Sequence, residues 1–166
     1  MTPTTSDTQI SNEGRPDPGA PPALQFRSVS MTFPDGTHAL DDTTFDVRPG
    51  EFVTVVGPSG CGKSTLLRIA SGLTTPTTGT VIGNPSDMGY VFQDATLLQW
   101  RTVQRNVELF AELEGVPKAE RRQRTAENLE LVGLTGHEDK YPKQLSGGMR
   151  MRASLARSLV MEPKMF

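Results

Sequence analysis

Residues 57–65 read GPSGCGKST and residues 145–149 read LSGGM, and both place glycine where an ordinary helix start would not need it. The first fits G-x-x-x-x-G-K-[ST] through Gly57, Gly62, Lys63 and Ser64. Glycine lets successive backbone N–H groups turn inward, the helix that follows adds partial positive charge at its N-terminus, and lysine adds a full one. That set suits capture of a polyphosphate, with Lys63 on the β- and γ-phosphates, Ser64 on Mg²⁺ and Thr65 toward the α-phosphate. The bland alternative is a flexible strand–helix turn that happens to carry GKS. The second stretch opens a segment of helical spacing, although glycine costs about 1 kcal/mol in a helix interior relative to alanine. One reading is a simple start with Ser146 as N-cap and two tolerated glycines. The other is a second anion site made from the bare amides of Gly147 and Gly148.

The elements that must position these residues follow from periodicity. Residues 1–22 are rich in Thr, Ser, Pro, Asp and Gly and are expected to be a disordered tail. From Leu24, LQFRSVSMTF alternates apolar and polar residues up to the turn PDGT. EFVTVVG is a short β-branched run that delivers the glycine loop, and GTVIG and MGYVFQD read as further strands. Leu66, Ala70 and Leu73 fall at helical spacing after the loop. Beyond Thr96 the texture turns helical. Val103, Val107, Phe110 and Ala111 share a face with Thr102 as N-cap, and Pro117 opens a second helix that ends near Gly133. A last helix from Ser146 to about Met161 carries Met151, Leu155, Ala156, Leu159 and Val160 on its apolar side. Strands, glycine loop, helix, strands and then a helical block predict an α/β nucleotide-binding core with a helical insert.

Composition narrows the classes. The 166 residues suffice for one domain with a core. A net charge of −2 gives no general field for nucleic acid or an anionic membrane. One cysteine, Cys61, excludes an internal disulfide and fits a reducing compartment, where it is a filler of the loop rather than a redox device. No apolar run approaches a membrane span, and no signal peptide opens the chain. A soluble, cytoplasmic protein that reaches a membrane through a partner is expected. Lys118, Arg121, Arg122 and Arg124 read as a solvated face, and His38 and His137 as surface residues without metal-ligand spacing.

Taken together, GPSGCGKST, YVFQD and LSGGM resemble the nucleotide-binding subunit of an ABC transporter, and the resemblance runs from Leu24 to Phe166. GPSGCGKST is similar to the family's Walker A motif, LSGGM to its signature motif, and Gln93 stands at its Q-loop. Phe33, thirty residues before Lys63, falls where the family stacks an aromatic on adenine; an ordinary strand residue before a turn is the competing role. LDDTTFDVRPGEFVTVVGPSGCGKSTLLR, QWRTV and LSGGMRMR look most like the nitrate/sulfonate/bicarbonate/taurine importer branch. The resemblance implies a P-loop NTPase core with an N-terminal antiparallel β portion and an inserted helical subdomain at 96–148, within a cassette domain at 23–166. It implies ATP and Mg²⁺ as ligands. Phe33, Gly57, Pro58, Ser59, Gly60, Cys61, Gly62, Lys63, Ser64, Thr65 and Gln93 would line the nucleotide, with Ser64 and Gln93 on the metal and Lys63 and Gln93 in the catalytic set. Ser146, Gly147 and Gly148 would reach the γ-phosphate of a second subunit in a head-to-tail dimer. Transmembrane permease subunits would hold the pair at the cytoplasmic face of the inner membrane, with a periplasmic or lipoprotein solute-binding protein as an indirect partner and no nucleic acid. Leu97, Leu98 and Trp100 are either core or the surface that receives the permease. The family's usual glutamine at the fifth signature position is Met149, which cannot donate a hydrogen bond as glutamine can.

The chain ends VMEPKMF, where the family would begin the strand of its Walker B aspartate and catalytic glutamate. Those residues, the D-loop and the switch histidine have no counterpart in the sequence, so a C-terminally truncated fold is expected, with slow or no hydrolysis by these residues alone. A nucleotide-binding module without turnover and a non-transport ABC ATPase are the alternatives.

Overall fold

The computed structural model describes residues 21–166, so nearly all of the expected tail lies outside the described residues. The described chain forms two compact units, one ending at Asn84 and one running from Pro85 to Phe166.

The first unit is built on an antiparallel sheet of order β2-β1-β3, with β1 at Leu24–Thr32, β2 at His38–Val47 and β3 at Thr78–Ile82. The alternation in β1 is not continuous. Leu24 and Phe26 are buried, then Val29 and Met31, a slip of one residue. Ser28 takes up the slip as a bulge with φ 48°, and the registers with both neighbouring strands shift there. Without it, Val29 and Met31 would point to the opposite face of the sheet. Gly79 of β3 lies against the bulge with φ +79°, and a Cβ on it would stand 2.2 Å from the Ser28 carbonyl oxygen. Phe26 stacks on Phe45 across the β1–β2 pair at 4.6 Å. The PDGT turn forms as read, with the Phe33 amide donating to Thr37 O and the Gly36 amide to Phe33 O, both at 2.9 Å.

Two expected strands do not form. Residues 51–57 have no regular structure, and Phe52 is 93% and Val56 82% exposed. A strand exists only as one side of a ladder, and among the described residues none pairs with this run. MGYVFQD likewise makes a single parallel bridge, Met88 to Met165, and then turns irregular.

In the second unit α2 (Val103–Val107) and α3 (Leu109–Leu113) make one bent helical stretch. It packs with α4 (Lys118–Leu131) and α5 (Gly147–Leu159) around Leu97, Val103, Val107, Ala111, Leu129, Leu134, Leu145, Ala153, Ala156 and Val160. Thr102 caps α2 as expected, accepting from the Arg105 amide at 3.3 Å, and Pro117 directly precedes α4. Phe110 departs from the apolar face read for this stretch and is 39% exposed. Asn106 is fully buried yet satisfied. Its Oδ1 accepts from the Leu98 amide at 2.7 Å, and its Nδ2 lies 3.0 Å from the carbonyls of Leu98, Arg101 and Thr102. A buried amide left without these partners would cost about 1–3 kcal/mol, so Asn106 fixes the 98–102 turn onto α2. The buried side of α5 is Ala153, Ser154, Ala156, Arg157, Ser158 and Val160. Of the five residues expected there, Met151, Leu155 and Leu159 are only half-buried. Small residues let α5 approach its neighbours, and the long side chains fall to its flanks.

Candidate functional site

The glycine loop sits at the start of α1 (Lys63–Ala70), which is anchored by buried Leu66 and Ile69. Leu73, expected on the same face, is 55% exposed because the helix ends at Ala70. Gly60 and Gly62 take φ +83° and +90°, which curls the chain into the loop. A Cβ on Gly62 would stand 2.1 Å from the Ala39 carbonyl oxygen of β2, so glycine is required there by conformation and by space. The amides of Gly62, Lys63, Ser64 and Thr65 donate to no acceptor among the described residues, and no side chain caps the helix. The Lys63 ammonium lies across the loop, donating to Gly57 O at 2.8 Å and Pro58 O at 2.6 Å, with Cys61 Sγ at 3.4 Å. Four free amides at a helix N-terminus beside a fixed ammonium fit an anionic phosphate chain. Ser64 is exposed and offers its hydroxyl to a cation. No group of three His, Cys, Asp or Glu that could hold a metal occurs among the described residues. A serine hydroxyl is a hard oxygen donor, of the kind Mg²⁺ accepts beside phosphate oxygens.

One prediction follows from Gly62. Gly62→Ala forces an alanine into the left-handed region and against a main-chain oxygen. The first unit should lose more than about 2 kcal/mol of stability, read as a lower urea midpoint with an unchanged slope.

The second glycine pair opens α5. Ser146 caps the helix, its Oγ accepting from the Met149 amide at 3.2 Å, which leaves the hydroxyl proton free to donate. The amides of Gly147 and Gly148 have no acceptor among the described residues, and both residues are exposed. A Cβ on Gly148 would meet nothing within 4 Å. On Gly147 the nearest atom is a guanidinium nitrogen of Arg150 at 3.9 Å. Neither glycine has a positive φ. The fold of this chain thus tolerates a side chain at both positions. Met149 packs against the helical core, so its side chain does not take the outward place of a polar residue.

The other expected residues are less confined. Gln93 is exposed in an irregular turn, and among the described residues its side chain has no hydrogen-bond partner; it does not end a strand. Phe33 is half-buried at the hairpin and stacks on no other ring among the described residues. An open cleft of ≈ 530 Å³ beside the loop is lined by residues of β2, among them His38 and Asp41, with Gly60 and Cys61. His38 is exposed and pairs with Asp41 at 3.3 Å. His137 is half-buried rather than a plain surface residue, with its Nδ1 enclosed and without a partner among the described residues. Leu97 is core, whereas Trp100 is 74% exposed. Lys63, Ser64 and the loop belong to the first unit, and Gln93 and residues 146–148 to the second. Sequence reasoning missed Arg157 and Ser158, both buried polar residues of α5. An arginine inside the apolar run SLARSLV was the available signal.

Among the described residues no helix is long and apolar enough to cross a membrane. Residues 40–166 match the family model described as ABC transporter. The uncharacterized ABC transporter ATP-binding protein MJ0412 of Methanocaldococcus jannaschii is 50% identical over 133 residues, covering 76% of this chain and 50% of that protein. The nitrate import ATP-binding protein NrtD of Synechocystis is 45% identical, with the same coverage. Among solved structures, the dimeric post-hydrolysis state of the ATP-binding cassette MJ0796 bound to ADP and Pi is similar with a TM-score of 0.78. It is 32% identical over 84% of this chain and 70% of that one. The chain spans about half the length of the curated relatives it matches. With the glycine loop, the antiparallel β portion and the helical unit all in place, this chain belongs to the ABC transporter family and carries its P-loop ATP-binding cassette fold.

Proposed function

We propose that this chain is the ATP-binding part of an ABC importer ATPase that works as a head-to-tail pair. The observation that carries the reading is the presence of two helix starts with unpartnered amides, one beside Lys63 and one at Gly147 and Gly148, the second carrying glycines its own fold does not need. In this reading the loop of residues 57–62, the free amides of residues 62–65 and the Lys63 ammonium grip the phosphates of one ATP, Ser64 and Gln93 hold Mg²⁺, and Phe33 stacks on the base. Ser146, Gly147 and Gly148 of one copy close over the γ-phosphate held by the other, the serine through its free O–H and the glycines through N–H. Mg²⁺ supplies charge neutralisation at the transferring phosphoryl group. Gln93 reports on metal and water to the permease, which docks near Trp100. The similar cassette of MJ0796 is dimeric and bound to ADP and Pi, which supports the pairing. The relatives include importers named for nitrate, sulfate/thiosulfate and methionine, which supports import and favours a small solute, anionic in two of the three. The permease subunits place the pair at the cytoplasmic face of the membrane.

The deciding experiment is light scattering of the purified chain with saturating ATP or ADP. The mass should double with ATP and stay monomeric with ADP, because only ATP presents a γ-phosphate to the second helix start. A monomer under both nucleotides defeats the reading.

A further inference from the structure

Gln93 lies in a strap that is tied at both ends to the helix that carries Ser146, Gly147 and Gly148 at its start. Before Gln93, the Ser158 hydroxyl donates to Tyr90 O at 2.9 Å. After it, Arg157 takes hold of two consecutive residues. Nη1 donates to Thr96 O at 3.0 Å, and Nη2 donates to Ala95 O at 3.2 Å and to Thr96 Oγ1 at 2.9 Å. Arg157 is 6% exposed, lies 5.6 Å from the centre of the Phe110 ring, and has no carboxylate partner among the described residues. Burial opposes its charge and lowers its pKa. An unpaired buried guanidinium is an expensive way to fill a helix flank that an aliphatic side chain would fill at less cost. Its fork, however, matches what a leucine cannot hold, namely two carbonyls and a hydroxyl turned the same way. Thr96 is itself held at φ 45°, a conformation that a β-branched residue avoids unless its surroundings fix it.

We propose that Arg157 and Ser158 are positioning residues that lock the Gln93 strap to α5, so that Gln93 and the Ser146 helix start shift as one body. Arg157 lies ten residues along α5 from Gly147, about 15 Å of continuous helix, and a helix of that length transmits displacement as a rod. The functional half of this inference rests on the roles proposed above for Gln93 and for residues 146–148; the mechanical half does not.

The test therefore has two readouts. In native-state hydrogen exchange, Ser158→Ala and Arg157→Lys should each speed the amides of residues 90–98 about tenfold or more and leave Lys118–Leu131 unchanged. No change in the strap, or an equal change throughout the unit, overturns the lock. In ATP turnover by the assembled ATPase, each substitution should lower kcat about tenfold with KM within about twofold. In a Gln93→Ala background the same substitutions should lower kcat less than about twofold further. Equal losses in both backgrounds would show a general structural role and overturn the coupling. Arg157→Met serves only as a third variant, since Ser158→Ala and Arg157→Lys carry the test if it fails to fold. If Gln93→Ala alone leaves kcat intact, the role given to Gln93 fails and the exchange result judges the lock by itself.

Discussion

Lys63→Ala is expected to weaken nucleotide binding by about 10- to 100-fold. A hydrogen bond to a charged group is worth about 1.5–3 kcal/mol net, and each 1.4 kcal/mol is tenfold in affinity. The structure adds a reason for the upper part of that range. An ammonium has three protons to donate. Two are committed at 2.6–2.8 Å to the carbonyls of Pro58 and Gly57, and the third faces only Cys61 Sγ at 3.4 Å. A thiol is a weak acceptor, so that proton is the one a phosphate oxygen can take without disturbing the loop. Alanine removes the charge and also leaves the Gly57 and Pro58 carbonyl oxygens without their donor inside the proposed phosphate loop. Lys63→Arg keeps the charge, but a planar fork cannot bridge both carbonyls and still aim a donor between them, so it should recover only part of the loss. Equilibrium titration with a fluorescent ATP analogue reads both variants. An affinity for Lys63→Ala within twofold of the parent would remove Lys63 from the site.

Much of this site was legible in the sequence because glycine, serine, lysine and proline act through local geometry. The loop at residues 57–65, the caps at Thr102 and Ser146, the hairpin at Phe33 and the start of α4 after Pro117 each depend on a few neighbouring residues, and each formed where its residues stand. The misreadings concern what depends on distant partners. EFVTVVG has the composition of a buried strand, yet composition cannot supply a ladder, and Val56 stays exposed. The bulge at Ser28 was hidden because a one-residue slip in a period of two still looks like alternation over short windows. The face of α5 was misjudged because burial followed small residues and one arginine rather than hydrophobicity. Arg157 is buried because carbonyls of Ala95 and Thr96, more than sixty positions upstream, point at it. No periodicity encodes that meeting.

The two glycines of α5 give the expectation with the largest effect on activity, and its sign is unusual. Gly147→Ala and Gly148→Ala should each leave the chain as stable or raise its stability by up to about 1 kcal/mol, because alanine loses less conformational entropy in a helix. The structure offers no opposing term. The positions are exposed, their backbone is compatible with alanine, and a new Cβ at Gly148 meets nothing within 4 Å. In the head-to-tail pair proposed above, the same methyl would stand between the bare amides of this helix start and the γ-phosphate held by the other copy. A displacement of even 1 Å costs orders of magnitude where catalysis rests on positioning. Turnover is therefore expected to fall about 100-fold or more for Gly148→Ala, while ATP binding to the isolated chain stays within twofold. Thermal unfolding, nucleotide titration and phosphate release on one variant read all three quantities. Lost stability would mean the glycine serves the fold. Full turnover would mean the helix start faces no phosphate at all. Only the combination of an intact fold, intact binding and lost turnover places the work of Gly148 on another molecule's nucleotide.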